Sequence, residues 1–326
     1  WISSNILVCS EDSTGWWNLL FLEIKNVEEI FIKKRIKKQF YEYGTPQWVS
    51  GISFFSGSLD NFFCVAKTKY SWILEYYQNL KLKRKIDLDF SNLRQIQASS
   101  NRVICLASSK RRNESLLHID LEYINQSIPH DEYSFSNRLI SSQYSLAQSF
   151  WFEGFMNRNT HAWIYEPKVS SFEKFPLIIK AHSGPTSHFD GSFNSEIQFW
   201  TSRGWCVAEV NYGGSSGFGR EYRDRLNRLW GIIDSEDCKI LAEILIQKQL
   251  VDNRKVVICG NSAGGFTAIN ALKESNIFKA AICKYPVIDL EEMHANTHRF
   301  EKNYLGTLIG DFNCNQNLYT LRSPLH

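Results

Sequence analysis

Over the first 125 residues, apolar and polar positions alternate in short bursts separated by polar turns, with no convincing helical stripe. Residues 6–9, a turn over 11–15 and residues 16–24 form a first strand–turn–strand unit. The same shape returns as 62–66, 67–69, 70–77, and again as 103–107, 108–113, 116–121. Matching the second strands at Asn18, Ser71 and Ser115 gives offsets of 53 and 44 residues. Several strands per unit at such a period suit propeller blades, whose faces stay half-exposed until neighbours stack on them. An ordinary antiparallel sandwich fits the same pattern.

From about residue 176 the rhythm changes to alternating strand and helix. The segment 177–181 is an apolar strand, followed by the loop His182-Ser183-Gly184-Pro185-Thr186. A helix is expected over 193–202 and a strand over 205–210. Asp234-Ser235-Glu236-Asp237 reads as a capped helix start, with acidic residues where the N-terminal dipole favours them. Ile240, Leu241, Ile244 and Leu245 continue it as one apolar face. A strand over 256–259, a helix over 266–272 and a strand over 280–287 follow. That order predicts a doubly wound, mostly parallel sheet with helices on both faces. Residues 126–175 bridge the two halves, with polar Ser/Asn stretches and then a hairpin over 149–155 and 161–165. The expected domains are 1–135, with about two to three blades, and 136–326.

Composition narrows the partners. Apolar residues make up 43% of 326, and 37 basic against 34 acidic residues leave a net charge of +3. So even a balance argues against nucleic acid or an anionic membrane as partner. The dense run Lys33-Lys34-Arg35-Ile36-Lys37-Lys38 reads as a solvated loop between strands. The eight cysteines are scattered without a C-x-x-C, which suits free thiols in a reducing, cytoplasmic compartment. No apolar run approaches the ~20 residues of a membrane helix.

The chemistry concentrates at Gly260-Asn261-Ser262-Ala263-Gly264. This is a G-x-S-x-G elbow with a β-branched strand before it and a helix after it. Gly260 and Gly264 make room for the tight turn, and Ser262 is the candidate nucleophile. A serine hydroxyl attacks a carbonyl only when a base and an anion-binding site flank it. The amide of Ala263 at the helix N-terminus is one expected oxyanion donor, and the Gly184 loop is expected to supply the other. His182 precedes the nucleophile in a fold whose triad order is Ser, Asp, His, so it reads as a loop anchor. The glycine-rich stretch 211–219 lacks the spacing of a phosphate cradle. His294-x-x-x-His298 lacks both the glutamate and a third ligand of a zinc site, so neither metal nor cofactor is expected. Asp289 follows a strand where some α/β-hydrolases carry their acid. No later histidine sits on a plausible last-strand loop. The triad Asp and His are therefore expected to lie outside this chain, which reads as truncated at both ends.

These residues resemble the prolyl oligopeptidase family of serine peptidases, closest to its dipeptidyl-peptidase and acylaminoacyl-peptidase branch. His182-Ser183-Gly184-Pro185 resembles H-G-G-P, and Asn211 to Gly219 resembles N-Y-R-G-S-T-G-Y-G. Trp230-Gly231 through Asp234 and Asp237 resembles W-G-x-x-D-x-x-D, and Arg322-Ser323-Pro324-Leu325-His326 resembles R-S-P-I-x. Ser183 replaces a glycine and Gly213 an arginine. The resemblance implies an α/β-hydrolase domain, incomplete at its C-terminal end, preceded by a partial all-β propeller. It also implies Ser262 as nucleophile and Gly184 and Ala263 as oxyanion amides. The expected activity is hydrolysis of short peptides through an acyl-enzyme, with no nucleic acid or membrane partner and a homo-oligomer left open. A carboxylesterase of the same fold and a non-catalytic propeller scaffold are the alternatives.

Overall fold

The alternating N-terminal segments form three antiparallel sheets in the computed structural model, which describes residues 1–46, 48–69, 71–122, 128–130, 144–168, 173–299 and 301–326. The first sheet holds β1 (Ile6–Glu11), β2 (Asn18–Ile24) and β3 (Ile30–Arg35). The second holds β4 (Phe55–Gly57), β5 (Phe62–Lys67), β6 (Trp72–Gln78) and β7 (Lys81–Leu88). The third holds β8 (Asn92–Ser99), β9 (Arg102–Ser109), β10 (Arg112–Asp120) and β11 (Ile128–His130). Each is an up-and-down meander, as a blade requires.

The middle sheet shows why its strands read as nearly continuous apolar runs. Phe63 and Val65 of β5, with Trp72 and Leu74 of β6, pack into a core with Leu93, Val103 and Leu117 of the third sheet. Their neighbours Phe62, Cys64, Ala66 and Ile73 point the other way, into a core with Val8, Leu19 and Phe21 of the first. Successive side chains alternate faces, so a sheet covered on both sides needs apolar residues at every position. The basic run departs from expectation: Ile30, Phe31 and Ile32 with Lys33, Lys34 and Arg35 form strand β3, not a loop. Both faces of this outer strand meet solvent, so apolar periodicity could not mark it.

The remaining elements build one six-stranded sheet in the order β12-β13-β15-β14-β16-β17. Its strands are β12 (Gln148–Glu153), β13 (Asn159–Tyr165), β14 (Phe175–Ala181), β15 (Cys206–Asn211), β16 (Val251–Asn261) and β17 (Ala280–Lys284). The β12–β13 hairpin is antiparallel and joins β15 antiparallel, whereas β15, β14, β16 and β17 run parallel. The helices are α1 (Ser195–Thr201), α2 (Arg220–Arg223), α3 (Ile233–Gln247), α4 (Ala263–Glu274), α5 (Leu290–Asn296), α6 (Tyr304–Leu308) and α7 (Phe312–Arg322). Leu177, Ile179, Ala208 and Ile258 pack with α3 and α4 on one face. Ile178, Val207 and Ile197 of α1 close the other. This is the α/β-hydrolase sheet, with the expected helices on both faces.

Several expected ends shift, and β16 begins at Val251 rather than at residue 256. The elbow helix begins at Ala263 rather than at residue 266, and the last strand stops at Lys284, where Tyr285 turns to φ 39°. The chain divides into two compact units. One comprises Trp1–Leu139, Asp190–Phe193 and Gly217–Arg220; the other comprises Ile140–Phe189, Asn194–Ser216 and Glu221–His326. The domain boundary expected at 135/136, and much of the polar bridge around it, lie outside the described residues.

Candidate active site

Three parallel strands end level with one another. Ala181 of β14 pairs with Gly260 of β16, and Gly260 with Cys283 of β17. The carboxyl ends of such strands are where an open α/β sheet offers a crevice. The chain leaves β16 through Ser262, at φ 52° and ψ −118°, and enters α4 at once. Such a conformation costs a non-glycine residue about 1–3 kcal/mol and persists only where its surroundings enforce it. Here they do. The Ser262 N–H donates to the Lys284 carbonyl at 3.1 Å, and its own carbonyl accepts from Phe266 at 3.1 Å and Val287 at 3.3 Å.

The flanking glycines are sterically obligatory. A Cβ on Gly260 would stand 2.2 Å from the Gly264 carbonyl oxygen. A Cβ on Gly264 would stand 2.3 Å from the Ala181 oxygen and 2.7 Å from that of His182. Helix α4 therefore sits directly against the end of β14, where the loop carrying Gly184 begins. The first amides of α4, that of Ala263 included, have no acceptor within the helix and carry the positive end of its dipole. Gly184 adopts φ 79°, and among the described residues its amide donates to no protein acceptor.

His182 holds that loop. Its Nδ1 lies 3.0 Å from the Gly184 carbonyl, which can only accept, so this nitrogen carries the proton. Its Nε2 then accepts from the Ser215 hydroxyl at 2.7 Å, and the ring stacks on Tyr212 with centroids 4.2 Å apart. Burial pushes its pKa down to about 3. The ring is a neutral strut, in keeping with its reading as a loop anchor. Ser216 extends the bracing: its N–H donates to the Ser187 carbonyl at 2.9 Å and its hydroxyl to that of Thr186. Asn211 offers its amide to both backbone groups of Phe189, at 2.7 and 3.0 Å.

The helix start expected over 234–237 is present, with Asp234 and Glu236 in the first turn of α3, but the expected cap is not. The helix has no side-chain cap, and Asp234 and Asp237 lie inside it, both fully buried. Asp234 accepts from the Gly231 N–H at 2.6 Å and from the Thr267 hydroxyl of α4. Asp237 accepts from the Gly213 N–H and the Phe155 N–H, each at 2.7 Å. Burial raises both pKa values to about 6 in spite of these donors. One carboxylate thus ties α3 to the elbow helix, and the other ties it to the glycine-rich loop and the β12–β13 hairpin. Arg322 completes the frame by donating to the Trp230 carbonyl at 3.3 Å. At Gly213, where the resemblance expects arginine, a Cβ would stand 2.4 Å from Ile233 Cδ1.

Two of the three histidines after Ser262 are occupied elsewhere. His294 stacks on Phe312 at 4.4 Å, and His298 pairs with Glu301 at 3.5 Å. Asp289 caps α5 by accepting from the Glu291 and Glu292 amides. Among the described residues no histidine is hydrogen-bonded to Ser262. What the arrangement offers chemically is a hydroxyl held above a sheet end beside a helix N-terminus.

Residues 191–326 match the prolyl oligopeptidase family. Acylamino-acid-releasing enzyme 1 of Oryza sativa subsp. japonica is 33% identical over 123 residues, covering 37% of this chain and 16% of the relative. A Mycobacterium tuberculosis puromycin-hydrolyzing peptidase is 27% identical, with a TM-score of 0.87 over 99% of this chain and 50% of its own. A puromycin hydrolase is 29% identical, with a TM-score of 0.88 over 98% of this chain and 49% of its own. The chain thus spans about half the length of these solved structures, and its match covers a smaller share of the rice enzyme. The family match falls on the segment that holds the elbow, its helix and the buried Asp234–Asp237 frame, and through residues 191–326 this chain is similar to the prolyl oligopeptidase family.

Proposed function

We propose that the chain carries the nucleophile and oxyanion elements of a serine peptidase that hydrolyses short peptides. Ser262 Oγ attacks the scissile carbonyl, and the amides of Ala263 and Gly184 receive the negative charge that develops on its oxygen. Collapse of the tetrahedral intermediate expels the amine and leaves an acyl-Ser262, which water hydrolyses. The observation that carries this reading is the enforced left-handed conformation of Ser262 at the head of α4. A turn that only joined strand to helix would have no need of strain held by three hydrogen bonds.

Similarity to an acylamino-acid-releasing enzyme and to a puromycin-hydrolyzing peptidase supports a peptide substrate for this chain. The proton acceptor is assigned to no residue of this chain. A cytoplasmic setting suits the eight unpaired cysteines. Among the described residues no helix is long and apolar enough to cross a membrane.

Fluorophosphonate labelling of the protein that carries this chain tests the assignment. The probe is expected on Ser262 and absent from Ser262→Ala. Turnover of peptide p-nitroanilides should exceed that of short-chain esters. The reverse preference would favour the carboxylesterase, and an unlabelled Ser262 would remove the nucleophile altogether.

A further inference from the structure

The edge of the first sheet breaks a rule that the second sheet keeps. Outer strands present unpaired backbone groups, and proteins blunt them with charge. β7 does so with Lys81, Lys83, Arg84 and Lys85. β3 instead exposes Ile30, Phe31 and Ile32 in succession, at 53%, 50% and 59% of their surfaces. Among the described residues β3 pairs only with β2.

The charges around this apolar triplet are ordered. Glu28 and Glu29 precede it, both exposed, with their N–H groups held by the Asn26 side chain at 2.9 Å. Their carboxylates make no ion pair among the described residues. Lys33 and Lys34 follow it. The sequence Glu-Glu-Ile-Phe-Ile-Lys-Lys therefore runs acidic, apolar, basic, and it is complementary to itself when reversed.

We propose that β3 is a self-recognition strand: two copies of this chain pair their Glu28–Lys34 segments antiparallel about a twofold axis at Phe31. In that register Phe31 faces its own copy and Ile30 faces Ile32. Glu28 and Glu29 of each chain come beside Lys34 and Lys33 of the other. Opposite charges directly across an antiparallel pair stabilise it, and a twofold contact uses one patch twice. Lys34 donates to the Leu80 carbonyl over the Tyr77 ring and must let go of it to reach Glu28, and Lys33 already pairs with Glu23 at 3.2 Å. That bridge is exposed, so exchanging it for a partner across the interface costs little. The register slips at Lys33, where Phe21 pairs with Lys34 and Leu22 with Ile32. This bulge ends the regular edge at Ile32 and leaves the basic side chains to reach the acidic pair without strict alignment.

Two short strands bury little surface, so the expected dimer is weak, with a Kd on the order of micromolar and a marked salt dependence. Sedimentation velocity of the chain over a concentration series reads it directly. Glu28→Lys/Glu29→Lys and Lys33→Glu/Lys34→Glu should each raise Kd at least about tenfold, because each sets like charges face to face. An equimolar mixture of the two variants should form the heterodimer, since the reversed acids of one meet the reversed bases of the other. Recovery on mixing also shows that neither variant has lost its fold. Phe31→Lys, whose side chain lies outside the sheet cores, should be monomeric with an unchanged circular dichroism spectrum. A chain that stays monomeric at ~100 μM, leaving the edge to some other protein's strand, overturns the proposal. So does a dimer that persists in both charge-reversed variants, or a mixture that fails to associate.

Discussion

Gly264 and Ala181 meet so closely that no side chain fits between them: a Cβ on the glycine would lie 2.3 Å from the alanine carbonyl oxygen. This contact sets the distance between the elbow helix and the loop of Gly184. Gly264→Ala is expected to force α4 away from β14 and to destabilise the second unit by about 1–3 kcal/mol, the usual cost of overpacking. Urea unfolding followed by tryptophan fluorescence reads the loss. A variant as stable as the parent would mean that the contact can relax.

Ser262 gives a prediction of opposite sign. Ser262→Gly removes the Cβ from a conformation that only glycine adopts freely, and relief of strain outweighs the added chain entropy. The variant should unfold later than the parent, by about 1 kcal/mol, while losing all fluorophosphonate labelling. Ser262→Ala should lose the label without that gain. Equal midpoints for the two variants would show that the serine is not strained.

His182 makes stability depend on pH in a defined direction. Its folded pKa, about 3, lies below the ordinary histidine value, so the unfolded chain takes up the proton first. The contribution of the neutral ring is complete above about pH 6.5 and shrinks by roughly 1.4 kcal/mol per unit as pH falls toward 3. His182→Gln should therefore be less stable than the parent at pH 8, and the gap should narrow below pH 6. A gap that is constant between pH 8 and pH 4 would contradict the buried, neutral assignment.

Asp237 accepts two backbone N–H groups, and an amide can accept only where its oxygen points. Asp237→Asn leaves either Gly213 or Phe155 without its acceptor, at about 1–3 kcal/mol. Amide exchange should quicken at that position and leave the first unit's strands unaffected. The carboxylate's raised pKa, about 6, has its own sign. Its stability contribution is greatest below the unfolded value near 4 and falls as pH rises through 6, so parent and variant should draw closer at neutral pH.

Residues 1–326 alone should hydrolyse no peptide p-nitroanilide, because among the described residues no histidine is hydrogen-bonded to Ser262. Serine-dependent turnover by this chain would show that one of its own groups takes the proton.

The elbow and the strands around it were legible because their constraints are local. Gly260, Ser262 and Gly264 are spaced by the turn itself, and the strands of the parallel sheet are apolar because both faces are covered. The roles of Asp234 and Asp237 were not legible. Two acids one turn apart at a helix start look alike whether they cap the helix or reach across to Thr267, Gly213 and Phe155, and only packing decides. β3 is hidden for the opposite reason: with solvent on both faces and charge at one end, its pattern is that of a loop. The lysines of the basic run suggest a loop, although the three apolar residues before them carry the strand.

The two-faced middle sheet has a consequence for how the first unit comes apart. Phe63 and Val65 belong to one interface and Phe62 and Cys64 to the other, so neighbouring residues on a single strand report on different junctions. Such an array behaves as a linear stack of coupled spins, in which each sheet is ordered by those beside it. Cutting a methyl from Val65 should loosen the third sheet's grip, and cutting one from Ile73 the first's. Cooperativity here is a property of the seams.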